Sequence, residues 1–476
     1  MSKLVRSFLI INLSEIIFVL SGYFIHAYLG RLFNPADYGR YGLIVALATM
    51  TIVFIGDGIP KALSKYISQY PEKEKIIKRK AAIIQLILIT GVSIAYYLCA
   101  PLLASFFRDE SLVELIKLST FIIPAFAVAS FYNNYFNGLR MFGMQAVQRS
   151  IRSAARIVAI LSLAYFYGIK GAIVGYIAAP AIVALFSFFA DSHRKKPILG
   201  NFPSKKIIKF GLGIVGFMVA YNLVINIDLF LVKRLIESDY WVGIYNAVIT
   251  IGRIPFYFFS TLAFILLPTI SNMLEKQSSE KARQLIKKSM RYLLMLIIPS
   301  VATIIIYSRE IITLLYSDRY SSGDFALKVF VAGIGALTIF YICAFILNGS
   351  GKVKASAYLA WAGLALNVFL NYLFIPQLGI LGSALATTIT SFILMIVSLI
   401  LVRKTFGTFL NFLSLARFIF ATLVTSGIFY FLPKSTLLMF PEGIAFFIVY
   451  FLILSVTREM NGNDRQRLKD LFSKKL

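Results

Sequence analysis

The side chains able to do chemistry in this chain stand inside long apolar runs. Arg253 lies about 12 residues into the run 241–271, roughly 18 Å from its start at 1.5 Å per residue. An ionisable group at that depth is costly unless it faces protein or water, so it is a functional candidate. Asn246, Thr250, Arg253, Tyr257 and Ser260 follow a helical spacing and share one face. Two readings of Arg253 stay open: a cationic post for a phosphate in a cavity, or a structural charge paired with an acid. Glu15, about 12 Å into the run 7–29, is the natural partner by depth in a core of about 30 Å. Asn12, Glu15, Gly22 and His26 share a face of that run. Glu15 therefore reads either as cavity lining or ion coupling, or as a buried group satisfied by a neighbouring helix.

Further polar groups follow the same logic. Arg149, Arg152 and Arg156 recur at i, i+3 and i+7. With Lys61 they form an inner vestibule that could capture phosphate, or they are an orientation signal. Asp57 precedes Lys61 by four residues, the favourable order for a local ion pair. Asp228 is a structural or hinge candidate, with substrate contact as its other reading. The amides of Asn133, Asn137, Asn222 and Asn226 could bind sugar hydroxyls or hold helices together in lipid. Pro124, Pro180, Pro255 and Pro299 sit inside spans, where a missing N–H permits a kink; Pro124 and Pro255 are the hinge candidates. Cys99 and Cys343 read as packing residues.

The elements that must position these groups come from composition and charge. The chain has 476 residues, 59% hydrophobic and only 14% charged. A soluble domain carries about 25% charged residues, so this is an integral membrane protein. The first apolar stretch, 7–29, is too long for the core of a cleavable signal. Spans are predicted near 7–29, 41–61, 81–106, 113–137, 146–167, 170–190, 207–233, 241–271, 291–315, 325–348, 355–375, 380–402, 412–432 and 438–456. With the N-terminus inside, 36 of the 48 Lys and Arg fall on the inner side and 11 on the outer. That asymmetry predicts cytoplasmic N- and C-termini. The net charge of +27 is mostly this signal, which argues against nucleic acid and for anionic-lipid contact.

The basic stretch after residue 190 separates two similar halves. Asn137-Gly138 matches Asn348-Gly349, and Gly168 to Ala172 matches Gly379 to Ser383, at one common offset. Gly39-Arg40-Tyr41 matches Gly243-Ile244-Tyr245. The fold class is thus an all-α polytopic membrane protein of about fourteen transmembrane helices. It divides into an N-terminal six-helix lobe (1–192), a cytoplasmic loop (193–206), a second six-helix lobe (207–404), accessory helices (405–457) and a basic tail (458–476).

The run Gly30-Arg31-Leu32-Phe33-Asn34-Pro35-Ala36-Asp37-Tyr38-Gly39-Arg40-Tyr41 resembles the segment after the first helix of polysaccharide transporters. Asp228 followed by Val242-Gly243-Ile244-Tyr245 is similar to their helix 7–8 hairpin. The order of these motifs resembles the Wzx-like oligosaccharide flippases of the multidrug/oligosaccharidyl-lipid/polysaccharide exporter superfamily. The resemblance implies two lobes around a central cavity that opens alternately to either side of the cell membrane. It implies a polyprenyl-phosphate- or diphosphate-linked oligosaccharide as substrate, with glycosyltransferases or a polymerase of the same pathway as partners. A cation-coupled multidrug exporter is the alternative; Glu15 leaves Na⁺ or H⁺ coupling open. A membrane polymerase or ligase fits less well. The sequence has no Walker A, paired-cysteine, His-x-x-x-His or nucleophile-elbow pattern, and the acids Asp109, Glu110, Glu237, Asp239, Asp318 and Asp324 are scattered along the chain. No enzyme activity, metal or cofactor is expected.

Overall fold

The computed structural model describes residues 3–192, 200–275, 277–407 and 411–460, with side chains from Ser14 onward except at 213, 214, 217, 261, 264, 265 and 268. Asn12, residues 193–199 of the loop 193–206 and residues 461–476 of the tail 458–476 lie outside the described side chains.

Helices dominate the described residues. The first nine are α1 (Lys3–Leu32), α2 (Pro35–Gly56), α3 (Ile59–Gln69), α4 (Glu74–Leu98), α5 (Ala100–Phe106), α6 (Leu112–Ser119), α7 (Ile122–Gly138), α8 (Phe142–Ser192) and α9 (Ser204–Ile236). There follow α10 (Asp239–Gly252), α11 (Ile254–Phe259), α12 (Thr261–Glu275), α13 (Ser279–Ile306), α14 (Ser308–Tyr316) and α15 (Asp324–Gly349). The last four are α16 (Val353–Leu378), α17 (Ile380–Phe406), α18 (Phe412–Tyr430) and α19 (Met439–Val456).

Local chemistry sets several of these ends. Asn34 caps α2 by accepting from the Asp37 N–H at 2.8 Å, and Pro35 opens the helix where no N–H is needed. The expected span 113–137 is two helices, broken just before Pro124. The expected span 241–271 is three, and Pro255, which has no N–H to donate, follows the break at Arg253.

Eleven stretches among the described residues are long and apolar enough to cross a membrane, against fourteen expected. One source of the difference is α8, which joins two expected spans. Its 51 residues would reach about 77 Å if straight, more than twice the hydrocarbon core. The helix instead turns at Gly168, with φ 59° and ψ −140°.

The glycines matched in sequence also share local backbone geometry. Gly168 and Gly379 both have positive φ, 59° and 58°. Three residues later, a Cβ on Gly171 would run into the Leu163 carbonyl, and one on Gly382 into the Phe374 carbonyl. Gly138 packs on the backbone of Ser64 beside Ile67, and Gly349 on that of Leu267 beside Ile270. Only glycine permits such approaches.

Contacts group the chain into two units. The first comprises Met1–Ala247 with Ala360–Ser383. Here α1 and α7 pack on α8, α3 packs on α7, and α9 packs on α2 and α3. Its core gathers Leu63, Ile67, Ile77, Phe131, Tyr135, Phe136, Phe202 and Ile207. Within it Tyr135 donates to Glu74, and Lys78 pairs with Asp191. The second unit comprises Val248–Leu359 with Ala384–Leu476. Its centre is α15, apolar all round and almost wholly buried, against α12 and α13. Glu459 accepts from Arg291 at 2.9 Å and Arg417 at 3.0 Å, tying the end of α19 to α13 and α18.

Candidate functional site

A polar cavity of about 190 Å³ lies in the first unit between α1, α7 and α8. Glu15, Phe18, Ser130, Asn133, Gln148, Arg149 and Arg152 line it. The helical spacing of the three arginines carries them down one side of α8 toward α1, and each is held differently. Arg149 pairs with Glu15 at 2.7 Å. Arg156 lies over the Phe18 ring and donates to the Ser21 hydroxyl at 3.0 Å and to the Phe18 carbonyl. Gly22 makes room for it: a Cβ there would meet the guanidinium at 3.4 Å. Arg152 stacks on Phe126 at 4.0 Å and on Phe18 at 4.9 Å. Gln145 donates to Asn133, and Gln148 to Ser187. Depth alone pointed Glu15 at Arg253; the partner the structure gives Glu15 is Arg149.

A second polar group lies where α2, α9 and α10 meet. Arg40 pairs with Asp239 at 2.6 Å. Lys233, almost fully buried, reaches Asp239 at 2.5 Å and Asp109 at 2.7 Å, and Arg108 pairs with Glu237. Three of the acids that look scattered in sequence therefore converge on cations. Burial pushes the Asp109 carboxyl up, but hydrogen bonds from Lys233 and Ser111 and the charges of Lys233 and Arg40 outweigh it and hold it below the usual carboxylate range. The backbones beneath touch. A Cβ on Gly243 would run into the Pro35 carbonyl, and one on Gly39 would sit 2.5 Å from the Asp239 carbonyl. These ion pairs, over the touching Gly39 and Gly243 backbones, form an ionic clasp.

Other expected residues fall in varied settings. Asp228 is fully buried and accepts from the Tyr245 hydroxyl at 3.2 Å, joining α9 to α10. Asn246 is buried against Gly42. Asn222 and Asn226 donate to carbonyls four residues earlier in α9, at 2.8 and 2.9 Å. Asn137 and Tyr257 are exposed. Arg253 is half-buried at the break between α10 and α11. Asp57 and Lys61 pair at 2.7 Å. Sequence reasoning missed Lys233, Gln148 and the buried chain Asn367–Asn371–Ser383, in which Ser383 donates to Asn371 at 2.7 Å. The spacing of four between the two asparagines was the available signal.

The chain as a whole is similar to known proteins. Residues 4–274 match the family described as polysaccharide biosynthesis protein, and 214–373 match MatE. An uncharacterized membrane protein of Methanocaldococcus jannaschii is 24% identical over 92% of both chains. The lipid II flippase MurJ of Bacillus subtilis is 24% identical, over 79% of this chain and 77% of its own. The solved structure of lipid II flippase MurJ in an inward closed conformation superposes with a TM-score of 0.80 at 15% identity, covering 95% of this chain and 99% of that one. With its apolar helices and paired polar groups, the chain is a multi-pass membrane protein that belongs to the polysaccharide biosynthesis protein family.

Proposed function

We propose that this transporter flips a lipid-linked oligosaccharide, on a polyprenyl-phosphate or diphosphate carrier, from the cytoplasmic to the outer leaflet of the cell membrane. The observation that carries the reading is the cavity: two arginines with amides and a hydroxyl line it. A sugar–phosphate headgroup cannot cross hydrocarbon unaided, because each unpaired polar group costs free energy. Such a cavity takes the headgroup while the lipid tail stays in the bilayer. The lobes 1–192 and 207–404 alternate between inward- and outward-open states, with both termini cytoplasmic. In this reading the packing of α9 and α10 on α2 is the lobe contact at the closed end, and the clasp is its gate. Arg253 supplies a further cation on the second lobe.

The test is flipping in vesicles. Purified protein with a fluorescent lipid-linked disaccharide should expose the headgroup to a membrane-impermeant quencher, and Arg253→Ala should abolish this while protein abundance stays normal. Arg253→Lys should keep part of the activity, since it keeps charge but loses the fork. If Arg253→Ala lowers abundance in step with flipping, Arg253 is structural. The MatE match over 214–373 favours one other reading, a cation-coupled multidrug exporter. Efflux of a cationic dye, with no flipping, would establish that instead.

A further inference from the structure

Resting on the cavity as the headgroup site, we infer that it holds one oxyanion borne next to a hydroxyl, with Arg152 as the cationic anchor and Gln148 as the hydroxyl acceptor. The three arginines are not equivalent. Arg149 is paired with Glu15, and Arg156 donates to Ser21 and Phe18. Arg152 makes no hydrogen bond or ion pair among the described residues; its guanidinium is held over the rings of Phe126 and Phe18. The rings fix the plane of the guanidinium and leave its N–H edge as the ready donor. Two parallel N–H groups in that edge match a phosphate or carboxylate.

Gln148 supplies the second half. Ser187 donates its only hydroxyl proton to the Val183 carbonyl at 2.6 Å, so toward Gln148 it can only accept. This fixes the Gln148 Nε2 toward Ser187 and leaves Oε1 as a buried acceptor without a partner among the described residues. A hydroxyl reaching that oxygen satisfies it. The volume narrows the ligand further. At about 190 Å³ the cavity is smaller than the roughly 300–1,000 Å³ of drug-sized sites, so it admits one headgroup unit and not a whole oligosaccharide. Two sources present an oxyanion beside hydroxyls at this size: the phosphate joined to the first sugar, and the carboxylate of a uronic sugar.

Calorimetry on the purified full-length protein in detergent tests this with three probes: a short-chain prenyl glucosyl phosphate, methyl glucuronide and neutral methyl glucoside. One of the two anionic probes should bind at least about tenfold more tightly than methyl glucoside, and which one identifies the source. Arg152→Gln should weaken that probe by about tenfold or more, and Arg152→Lys by less. Gln148→Leu should weaken it several-fold and leave inorganic phosphate unchanged. Binding indifferent to Arg152→Gln, equal binding of methyl glucoside, or no binding of either anion overturns the site. If Arg152→Gln does not run as a single species on size exclusion, Arg152→Lys and Gln148→Leu decide by the same criteria. Vesicles separate this from the broader reading. Arg152-dependent binding without flipping keeps the site and removes the flippase; flipping with Arg152-independent binding does the reverse.

Discussion

The clasp and the cavity use the same residue types to opposite ends. At the clasp Arg40, Arg108 and Lys233 each sit on a carboxylate, two carboxylates share Lys233, and glycine backbones close beneath them. In the cavity one arginine is paired and one lies on rings alone, while the third, beside it, is tied to a hydroxyl and a carbonyl. Charge content does not separate a lock from a binding site. Whether the donors are already engaged does.

The largest expected effect falls on the clasp. Lys233→Met leaves Asp109 and Asp239 without their buried cation and should cost about 3–5 kcal/mol, read as thermal melting in detergent. Adding Asp109→Asn should recover part of it. An unchanged melting temperature in Lys233→Met would mean the clasp holds nothing.

Next comes the backbone contact. Gly243→Ala should cost about 1–3 kcal/mol, because the Pro35 carbonyl cannot step aside. Gly91 has nothing within 4 Å of an added Cβ, so Gly91→Ala should instead stabilise by up to about 1 kcal/mol. Equal effects of the two would deny that the approach matters.

In the cavity stability should barely respond. Glu15→Gln removes a half-exposed pair and should shift stability by no more than about 1 kcal/mol, while changing anion binding. A large loss of stability would move Glu15 and Arg149 to the structural side of the comparison.

The smallest effect is that of pH. The folded Asp109 pKa is depressed, so its contribution is present above the unfolded value of about 3.9 and is lost as pH falls through the folded value. Melting should therefore be flat from about pH 5 to 8 with respect to this group, and wild type should approach Asp109→Asn only below about pH 4. A difference that closes near neutrality would assign the dependence to another group.

Much of the scaffold was legible in sequence because it rests on local rules. Apolar length marked the membrane helices, Asn34-Pro35 marked a capped start, and the paired Gly-rich turns at 168 and 379 share the positive φ that only glycine adopts freely. The i, i+3, i+7 spacing brought two of the three α8 arginines into one cavity wall and set the third against α1. What sequence could not give was rotation. Two groups at the same depth need not face each other, and Glu15 found Arg149 because α1 packs along α8. The clasp was invisible for a related reason: Asp109, Lys233 and Asp239 come from three separate segments, and only tertiary packing joins them.

The composition of the first unit bears on how the protein is made. Residues 360–383 belong with 1–247, so this unit stays incomplete while Val248–Leu359 is being synthesised. At about 5–20 residues per second the wait is roughly 6–22 s. Over that interval the membrane holds helices whose final neighbours do not yet exist, with buried polar positions such as Asp228 already inserted. Whatever guards a nascent membrane protein from premature pairing or degradation has its longest task here, between the tenth helix and the sixteenth.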